Sequence, residues 1–154
     1  MEVIQPWVSE TVRLREMTMD DYPAVTEIWA ESEGLSLRDA DSPESIAAYL
    51  ARNPGTSFVA EQHGRVVGTV LAGTDGRRGY LQHLAVAESH RSQGIGQMLI
   101  EKAVEGLAAV GIAKTHLFVF CENVAAQRFY ERLGWFARDE VRMYSFNASD
   151  NQNV

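Results

Sequence analysis

The feature that most constrains this chain is a junction of polar residues and two glycines, which joins an apolar strand at residues 80–86 to a helix. Apolar side chains recur at helical spacing over residues 95–110, so residues 91–96 are predicted to form the turn that opens the helix. The first amides of a helix have no intrahelical partner, and Gly94 and Gly96 carry no Cβ. The turn is therefore suited to bind a phosphate group, mainly through hydrogen bonds of about 1.5–3 kcal/mol each.

Composition favours one acidic domain in a reducing compartment. A chain of 154 residues is most simply a single domain, and its net charge of −7 argues against a nucleic-acid partner. Cys121 is the single cysteine, so no disulfide forms within the chain. We find no signal-peptide pattern and no apolar run of membrane-spanning length. We expect a cytoplasmic protein that binds neither membranes nor nucleic acid.

Alternating or continuous apolar runs predict the main strands, which are residues 11–16, 58–61, 66–72, 80–86 and 114–120. The last run is apolar nearly throughout, which predicts a strand covered by helices on both faces. A strand, helix, strand unit pairs its two strands in parallel through a right-handed crossover. The phosphate turn should therefore lie at the carboxyl end of the fourth strand, next to the fifth.

Helix starts are marked by capping residues and prolines: Asp20 and Asp21 precede Pro23, Ser42 precedes Pro43, and Asn123 can cap a last helix. Residues 135–137 and 141–146 predict a closing hairpin. The fold class is α/β, a single domain at residues 11–147 with helices on both faces of a mixed central sheet. We expect a loose arm at residues 1–10 and a disordered tail at residues 148–154.

The turn does not match the two commonest phosphate motifs. A P-loop requires a lysine after its second glycine, and the Rossmann fingerprint requires a third glycine where Leu99 stands. The run Arg91-Ser92-Gln93-Gly94-Ile95-Gly96 instead resembles the Arg/Gln-x-x-Gly-x-Gly/Ala signature of the Gcn5-related N-acetyltransferase family. Residues 123–135, from Asn123 through Phe129-Tyr130-Glu131 to Leu133-Gly134-Trp135, resemble that family's second conserved segment.

The resemblance implies a sheet splayed open between its fourth and fifth strands, with acetyl-CoA in the wedge and no metal. In the family, the main chain at the positions of Leu84 and Val86 pairs with the pantetheine amides, and the amides of residues 91–97 hold the pyrophosphate. The implied cofactor-binding residues are Leu84, Ala85, Val86, Arg91, Ser92, Gln93, Gly94, Ile95, Gly96, Gln97, Asn123 and Tyr130.

The resemblance also implies direct transfer of the acetyl group to a primary amine of a small molecule or a protein. Tyr130 is the candidate acid for the leaving thiolate, because a phenol stays protonated at neutral pH. Neither the fourth nor the fifth strand carries the glutamate base that many members have, and Phe118 argues against ribosomal-protein N-termini as substrates. His83 is the candidate base, since imidazole exchanges protons near neutral pH; His63, His90 and His116 have weaker claims.

Several alternatives stay open at this stage. Tyr130 and His83 can be structural residues, Asn123 can be only a helix cap, and Cys121 can carry an acyl group. A lysine amine loses about 4.6 kcal/mol of reactivity to protonation at pH 7 and an α-amine about 1.4 kcal/mol, which favours an α-amine slightly. The alternative function is a catalytically inactive acyl-CoA-binding sensor of the same fold. Family members are often dimers, which leaves a homodimer open.

Overall fold

A computed structural model describes residues 11–154, and within them the chain forms one mixed sheet with strand order β1-β2-β3-β4-β5. The strands are β1 (Arg13–Glu16), β2 (Phe58–Gln62), β3 (Arg65–Thr74), β4 (Gly79–Val86) and β5 (Thr115–His116). The pairs β1–β2, β2–β3 and β3–β4 are antiparallel, and the pair β4–β5 is parallel. The mixed α/β sheet and the parallel pairing that the sequence predicts are confirmed.

Two helices cover each face of the sheet. They are α1 (Tyr22–Glu31), α2 (Pro43–Arg52), α3 (Ile95–Ala109) and α4 (Val124–Arg132). The predicted caps are present, because the Ser42 hydroxyl accepts the amide of Ser45 at 3.2 Å and the Asn123 side chain accepts the amide of Ala126 at 3.1 Å. Local capping chemistry thus fixes where α2 and α4 begin.

The sheet separates two hydrophobic cores. Leu99 and Leu107 of α3 are fully buried in one, which we call the α3-side core, and the α4 residues Phe129 and Tyr130 pack against it. Trp29 of α1 is fully buried in the other, which we call the α1-side core. Fully burying a large apolar side chain contributes about 1.5–3 kcal/mol, so these cores hold the four helices on the sheet.

A bulge interrupts β4 in its middle. Thr69 pairs with Ala85 and Leu71 pairs with Gln82, so β4 has one more residue than β3 over this interval. His83 lies in the bulge with a φ of 49°, a left-handed conformation that is uncommon for residues other than glycine. Bulges increase the local twist of a strand. After His83, no strand of residues 11–154 pairs with β4 on the edge that faces β5.

The fifth strand is much shorter than the sequence predicts. β5 pairs with β4 only through Gly79 with Thr115 and Tyr80 with His116, and residues 117–120 leave the sheet. Phe118 is 64% exposed, so the prediction of a strand over residues 114–120 covered on both faces is wrong. The physical reason lies in β4, whose bulge turns its second half away from the direction that β5 would have to follow.

The predicted closing hairpin is absent: within residues 11–154 no strand follows β5. Phe136 and Tyr144, which the hairpin would have paired, are 68% and 85% exposed. A β5 of two residues offers too short an edge for these segments to pair against. Alternation in residues 135–146 therefore predicts strands that the fold does not use.

The predicted N-terminal arm, residues 1–10, lies outside the described residues. Disorder of residues 148–154 stays a prediction, and the same residues contact the 3-10 turn Asp39–Asp41, where Asn153 donates to the Asp39 carboxylate at 2.7 Å. Within residues 11–154 no helix is both long and apolar enough to cross a membrane, and no cluster of three His, Cys, Asp or Glu residues could hold a metal ion.

Candidate functional site

The phosphate turn has the geometry of an anion site. α3 begins at Ile95 after Gly94, whose φ of 83° ends the turn in the left-handed conformation. The amides of Ile95, Gly96 and Gln97 lie in the first helical turn and receive no hydrogen bond acceptor from residues 11–154. A Cβ placed on Gly94 would meet no atom within 4 Å, so this side of the turn is open. The donors are therefore free to bind a ligand oxygen.

Arg91 ties the turn to the end of β4. Its Nε donates to the Val86 carbonyl oxygen at 3.0 Å, and its own amide donates to the Glu88 carbonyl oxygen at 3.4 Å. The Arg91 amide is thus already used within the protein, unlike the amides of the first α3 turn. Arg91 fixes the distance between the strand end and the turn, and its amide is the least available of the predicted phosphate donors.

The main chain of β4 is exposed along one edge near the turn. The amide of Ala87 donates to Val67 of β3 at 2.8 Å, and in antiparallel pairing the neighbouring residue, Val86, directs its amide and carbonyl groups away from β3. Because β5 reaches only to the level of Tyr80, no strand of residues 11–154 occupies that edge. An extended ligand with amide groups can add there as a strand does.

The three β4 residues predicted to bind cofactor are not equivalent. Leu84 and Val86 pack partly buried against the α3-side core. Ala85 is buried in the α1-side core, and its main chain pairs with Thr69 of β3. The open edge is thus available at the Val86 amide, because the Val86 carbonyl oxygen already accepts a hydrogen bond from Arg91 Nε, and Ala85 supports the strand from behind.

Tyr130 lies on the α3 side of β4. It is half-buried, its ring contacts those of Phe129 and Trp135 at centroid distances of 5.2 and 6.0 Å, and burial raises its pKa to about 12. No residue among 11–154 forms a hydrogen bond with its hydroxyl group. Phe129 lies 3.4 Å from the position of a Cβ on Gly96, which brings α4 against the start of α3. Tyr130 therefore presents a protonated phenol without a partner on the helix that packs against the start of α3.

Asn123 serves as a helix cap. Its Oδ1 accepts the Ala126 amide, and its Nδ2 lies 3.5 Å from the position of a Cβ on Gly34 in the loop after α1. A cofactor contact from this residue would have to use Nδ2.

His83 lies on the opposite face of β4 from Tyr130. Its Nε2 is 2.6 Å from Oδ1 of Asp41, its ring centroid is 4.9 Å from that of Trp29, and its side chain is only 17% exposed. Sequence reasoning found no carboxylate near the predicted base because it searched the strands. Asp41 comes from a 3-10 turn 42 residues earlier, and no spacing in the sequence connects the two residues.

A shallow groove of about 280 Å³ lies between β4 and α2, and its nearest lining residue to His83 in the chain is Gln82. Its lining residues are Tyr49, Arg52, Asn53, Gly73, Thr74, Asp75, Tyr80 and Gln82. The Tyr49 hydroxyl is buried without a hydrogen-bond partner among residues 11–154, and burial raises its pKa to about 12. The contribution of α2 to this groove was missed from the sequence, since its apolar spacing indicates only a helix that covers the sheet.

Comparisons with known proteins agree with this geometry. A family model described as the acetyltransferase (GNAT) family matches residues 12–135. An acetyltransferase of Pectobacterium atrosepticum is 36% identical over 133 residues, which are 86% of this chain and 93% of that protein. An acetyltransferase of Sodalis glossinidius is 32% identical over 142 residues, which are 92% of this chain and 99% of that protein.

Two solved structures have a similar fold. One is the PaiA N-acetyltransferase from Thermoplasma acidophilum in complex with coenzyme A, with a TM-score of 0.74, 18% identity, and coverage of 84% of this chain and 92% of that chain. The other is diaminobutyrate acetyltransferase from Paenibacillus lautus in complex with L-2,4-diaminobutyric acid and coenzyme A. Its TM-score is 0.67 at 25% identity, and the match covers 80% of this chain and 75% of that chain.

Proposed function

Because the chain belongs to the GNAT acetyltransferase family, we propose that it transfers an acetyl group from acetyl-CoA to a primary amine by direct attack. The observation that carries the proposal is the open edge of β4 beside unpartnered amides. Val86 directs its main-chain groups away from β3, and three free amides begin α3 nine residues later, at Ile95. One extended ligand with amides at one end and phosphates at the other fits both features.

The residues present suit this donor. The amides of Ile95, Gly96 and Gln97 bind the pyrophosphate, and the absence of a Cβ on Gly94 lets the phosphate approach the backbone. The Val86 amide donates to a pantetheine carbonyl oxygen, and Arg91, bound to the Val86 carbonyl oxygen, holds the strand end and the turn at the required distance. Acetyl-CoA supplies the acetyl group as a thioester.

The two candidate catalytic residues lie on opposite faces of β4, which keeps the proton acceptor apart from the proton donor during addition of the amine and loss of the thiolate. The amine attacks the carbonyl carbon from the side of His83, and His83 accepts a proton from the amine nitrogen. As the carbon–sulfur bond breaks, Tyr130 donates its proton to the sulfur on the other side. Its raised pKa keeps the phenol protonated at neutral pH until that moment.

The groove beside His83 is our candidate for the acceptor site. It is lined by Gln82 of β4 and by Arg52 of α2, and it opens on the face of the strand that carries His83. A site of about 280 Å³ suits a small amine or the end of a peptide. The solved acetyltransferase of P. lautus holds a small diamine acid, in keeping with an acceptor of this size.

Release of coenzyme A with a panel of amines tests the proposal. The panel should hold polyamines, free amino acids, peptides with a free N-terminus, and N-blocked peptides with an internal lysine. Cys121 is exposed and would react with a thiol reagent, so the assay should use the Cys121→Ser variant. We expect one acetylated amine per coenzyme A released, and the same rate in both proteins when the product is measured by mass spectrometry.

Calorimetry with acetyl-CoA distinguishes the remaining outcomes. Binding without turnover on any amine would favour the acyl-CoA sensor, and absence of binding would overturn the proposal altogether. Loss of product in Cys121→Ser would show an acyl-cysteine route in place of direct attack.

A further inference from the structure

The carboxylate of Asp41 is held by a different partner on each oxygen. Oδ1 lies 2.6 Å from Nε2 of His83, and Oδ2 accepts the backbone amide of Arg38 at 3.0 Å. The main-chain oxygen of Asp41 accepts the Tyr22 hydroxyl at 2.6 Å, which ties the 3-10 turn to α1. The side chain is only 13% exposed. Both oxygens of the carboxylate therefore have a fixed hydrogen-bonding partner.

This arrangement selects one form of the His83 ring. An ionised carboxylate can only accept hydrogen bonds, so the neutral imidazole must carry its proton on Nε2. Nδ1 then keeps a lone pair and is the atom able to take a proton. Trp29 packs against the same ring at an interplanar angle of 56°, which holds the ring plane.

We propose that Asp41 is a positioning residue that fixes His83 in the Nε2-protonated tautomer, so that Nδ1 accepts the proton of the acceptor amine. The inference rests on the proposed acetyl transfer. The amine lone pair forms the bond to the acetyl carbon, the carbon–sulfur bond breaks, and Tyr130 protonates the sulfur. The amine proton moves to Nδ1, and Asp41 balances the charge of the resulting imidazolium. Solvent then returns a proton to Tyr130 and removes one from His83.

The variant Asp41→Asn tests this role because the Arg38 amide decides how the new side chain lies. That amide is a donor, so the asparagine turns its oxygen towards Arg38 and its amide nitrogen towards His83. The His83 Nε2 must then accept a hydrogen bond, and the ring proton moves to Nδ1. The substitution keeps both hydrogen bonds and the shape of the turn while it removes the basic lone pair from Nδ1.

Nitrogen-15 chemical shifts of the histidine ring report the tautomer directly. In the wild-type protein we expect His83 to carry its proton on Nε2, and in Asp41→Asn on Nδ1. We expect kcat to fall about 100-fold, because general-base catalysis contributes 10²–10⁴-fold. The KM for the amine should change less than about threefold, and acetyl-CoA affinity should not change, because Asp41 contacts the side chain of His83 and not the main chain of β4.

Asp39→Asn is the matched control. It removes the same charge from the same 3-10 turn, but the Asp39 side chain binds Asn151 and Asn153 and not His83. We expect the wild-type kcat and the wild-type His83 tautomer. A purely structural role of the turn would make the two variants alike.

The outcomes separate the inference from the proposed function. An Nδ1-protonated His83 in the wild type, or an Asp41→Asn variant that keeps the wild-type kcat, overturns the role of Asp41 alone. A wild-type protein that acetylates no amine overturns both proposals. Should Asp41→Asn fail to fold, the wild-type tautomer still decides, because the Nδ1-protonated form contradicts the inference without any variant.

Discussion

Replacing Gly94 with alanine should weaken acetyl-CoA binding far more than it weakens the fold. Gly94 has a φ of 83° immediately before α3, and a Cβ there would meet no atom within 4 Å. The substitution therefore introduces no steric clash inside the protein. Its effects come only from backbone strain and from a methyl group placed where a phosphate approaches.

The two effects have different sizes. A left-handed alanine costs about 1–2 kcal/mol, and the smaller entropy of its unfolded chain returns about 0.4–1 kcal/mol. The net loss of stability is then about 1 kcal/mol, or about 2–4 °C in Tm for a chain of this size. One lost amide hydrogen bond to a phosphate, at about 1.5–3 kcal/mol, raises the Kd for acetyl-CoA about 10- to 150-fold.

Gly111→Ala is the control at the other end of α3. Gly111 has a φ of 88°, and a Cβ there also meets nothing within 4 Å, so its strain should match that of Gly94→Ala. Thermal unfolding and calorimetry with acetyl-CoA should show similar Tm values for the two variants and weaker binding in Gly94→Ala alone. Equal affinities in the two variants, alongside equal losses of stability, would refute the assignment of the turn to the pyrophosphate.

Three further outcomes follow from particular side chains. Tyr130→Phe should lower kcat about 100-fold and leave the calorimetric Kd for acetyl-CoA and the Tm unchanged, since no described residue bonds the hydroxyl; unchanged kcat would contradict its role as acid. Burial by itself raises the pKa of Asp21, but the hydrogen bonds that it accepts from Arg15 and the Thr18 amide lower the pKa below the usual 3.8. The ionised Asp21 therefore stabilises the fold above pH 3.8, and this stabilisation is lost as the pH falls through the lowered pKa. Urea unfolding of Asp21→Asn should show a free energy of unfolding about 2 kcal/mol smaller than that of the wild type at pH 7, and this free energy should fall less steeply as the solution is acidified. Equal slopes of the two proteins at acid pH would contradict this. Gly106→Ala should be destabilised by about 1–2 kcal/mol in the same urea assay despite the better helix propensity of alanine, because its Cβ would lie 2.5 Å from the Gly55 carbonyl oxygen; a more stable variant would contradict the clash.

Local signals predicted much of the fold. Ser42 before Pro43 and the glycine turn before Ile95 each place a helix start correctly, because capping and left-handed turns are decided by a few neighbouring residues. The parallel pairing of β4 with β5 was predicted from the rule that strand, helix, strand units have a right-handed crossover, and not from the residues of the two strands. The turn at residues 91–96 and its free amides were predictable too, because they belong to one continuous segment; phosphate binding there stays a prediction.

Features that depend on distant residues were not predictable in this way. The contact between His83 and Asp41 joins β4 to a turn 42 residues away, and nothing in either segment marks the other. The bulge at His83 puts Leu81 and Leu84 on the same face although three positions separate them, but nothing in residues 114–120 records where β4 bends, so the early end of β5 has no signal in its own segment. Phe118 and its neighbours have strand propensity, but propensity forms a strand only where a partner strand is present.

The bulge in β4 makes the length of this strand matter more than its composition. Side chains alternate across a strand, so one inserted residue exchanges the two faces for every position that follows. Leu81 and Leu84 both face the α3-side core although three positions separate them, so the extra residue at the bulge is what keeps Leu84 and Val86 on that side. Deleting His83 would give regular alternation and leave these faces unchanged, whereas deleting Ala85, which lies after the bulge, would turn Val86 towards α1. During divergence, the part of β4 after the bulge should thus accept apolar exchanges readily and insertions or deletions hardly at all. Aligned relatives should keep a gap-free block from Leu84 to the phosphate turn even where few identities remain.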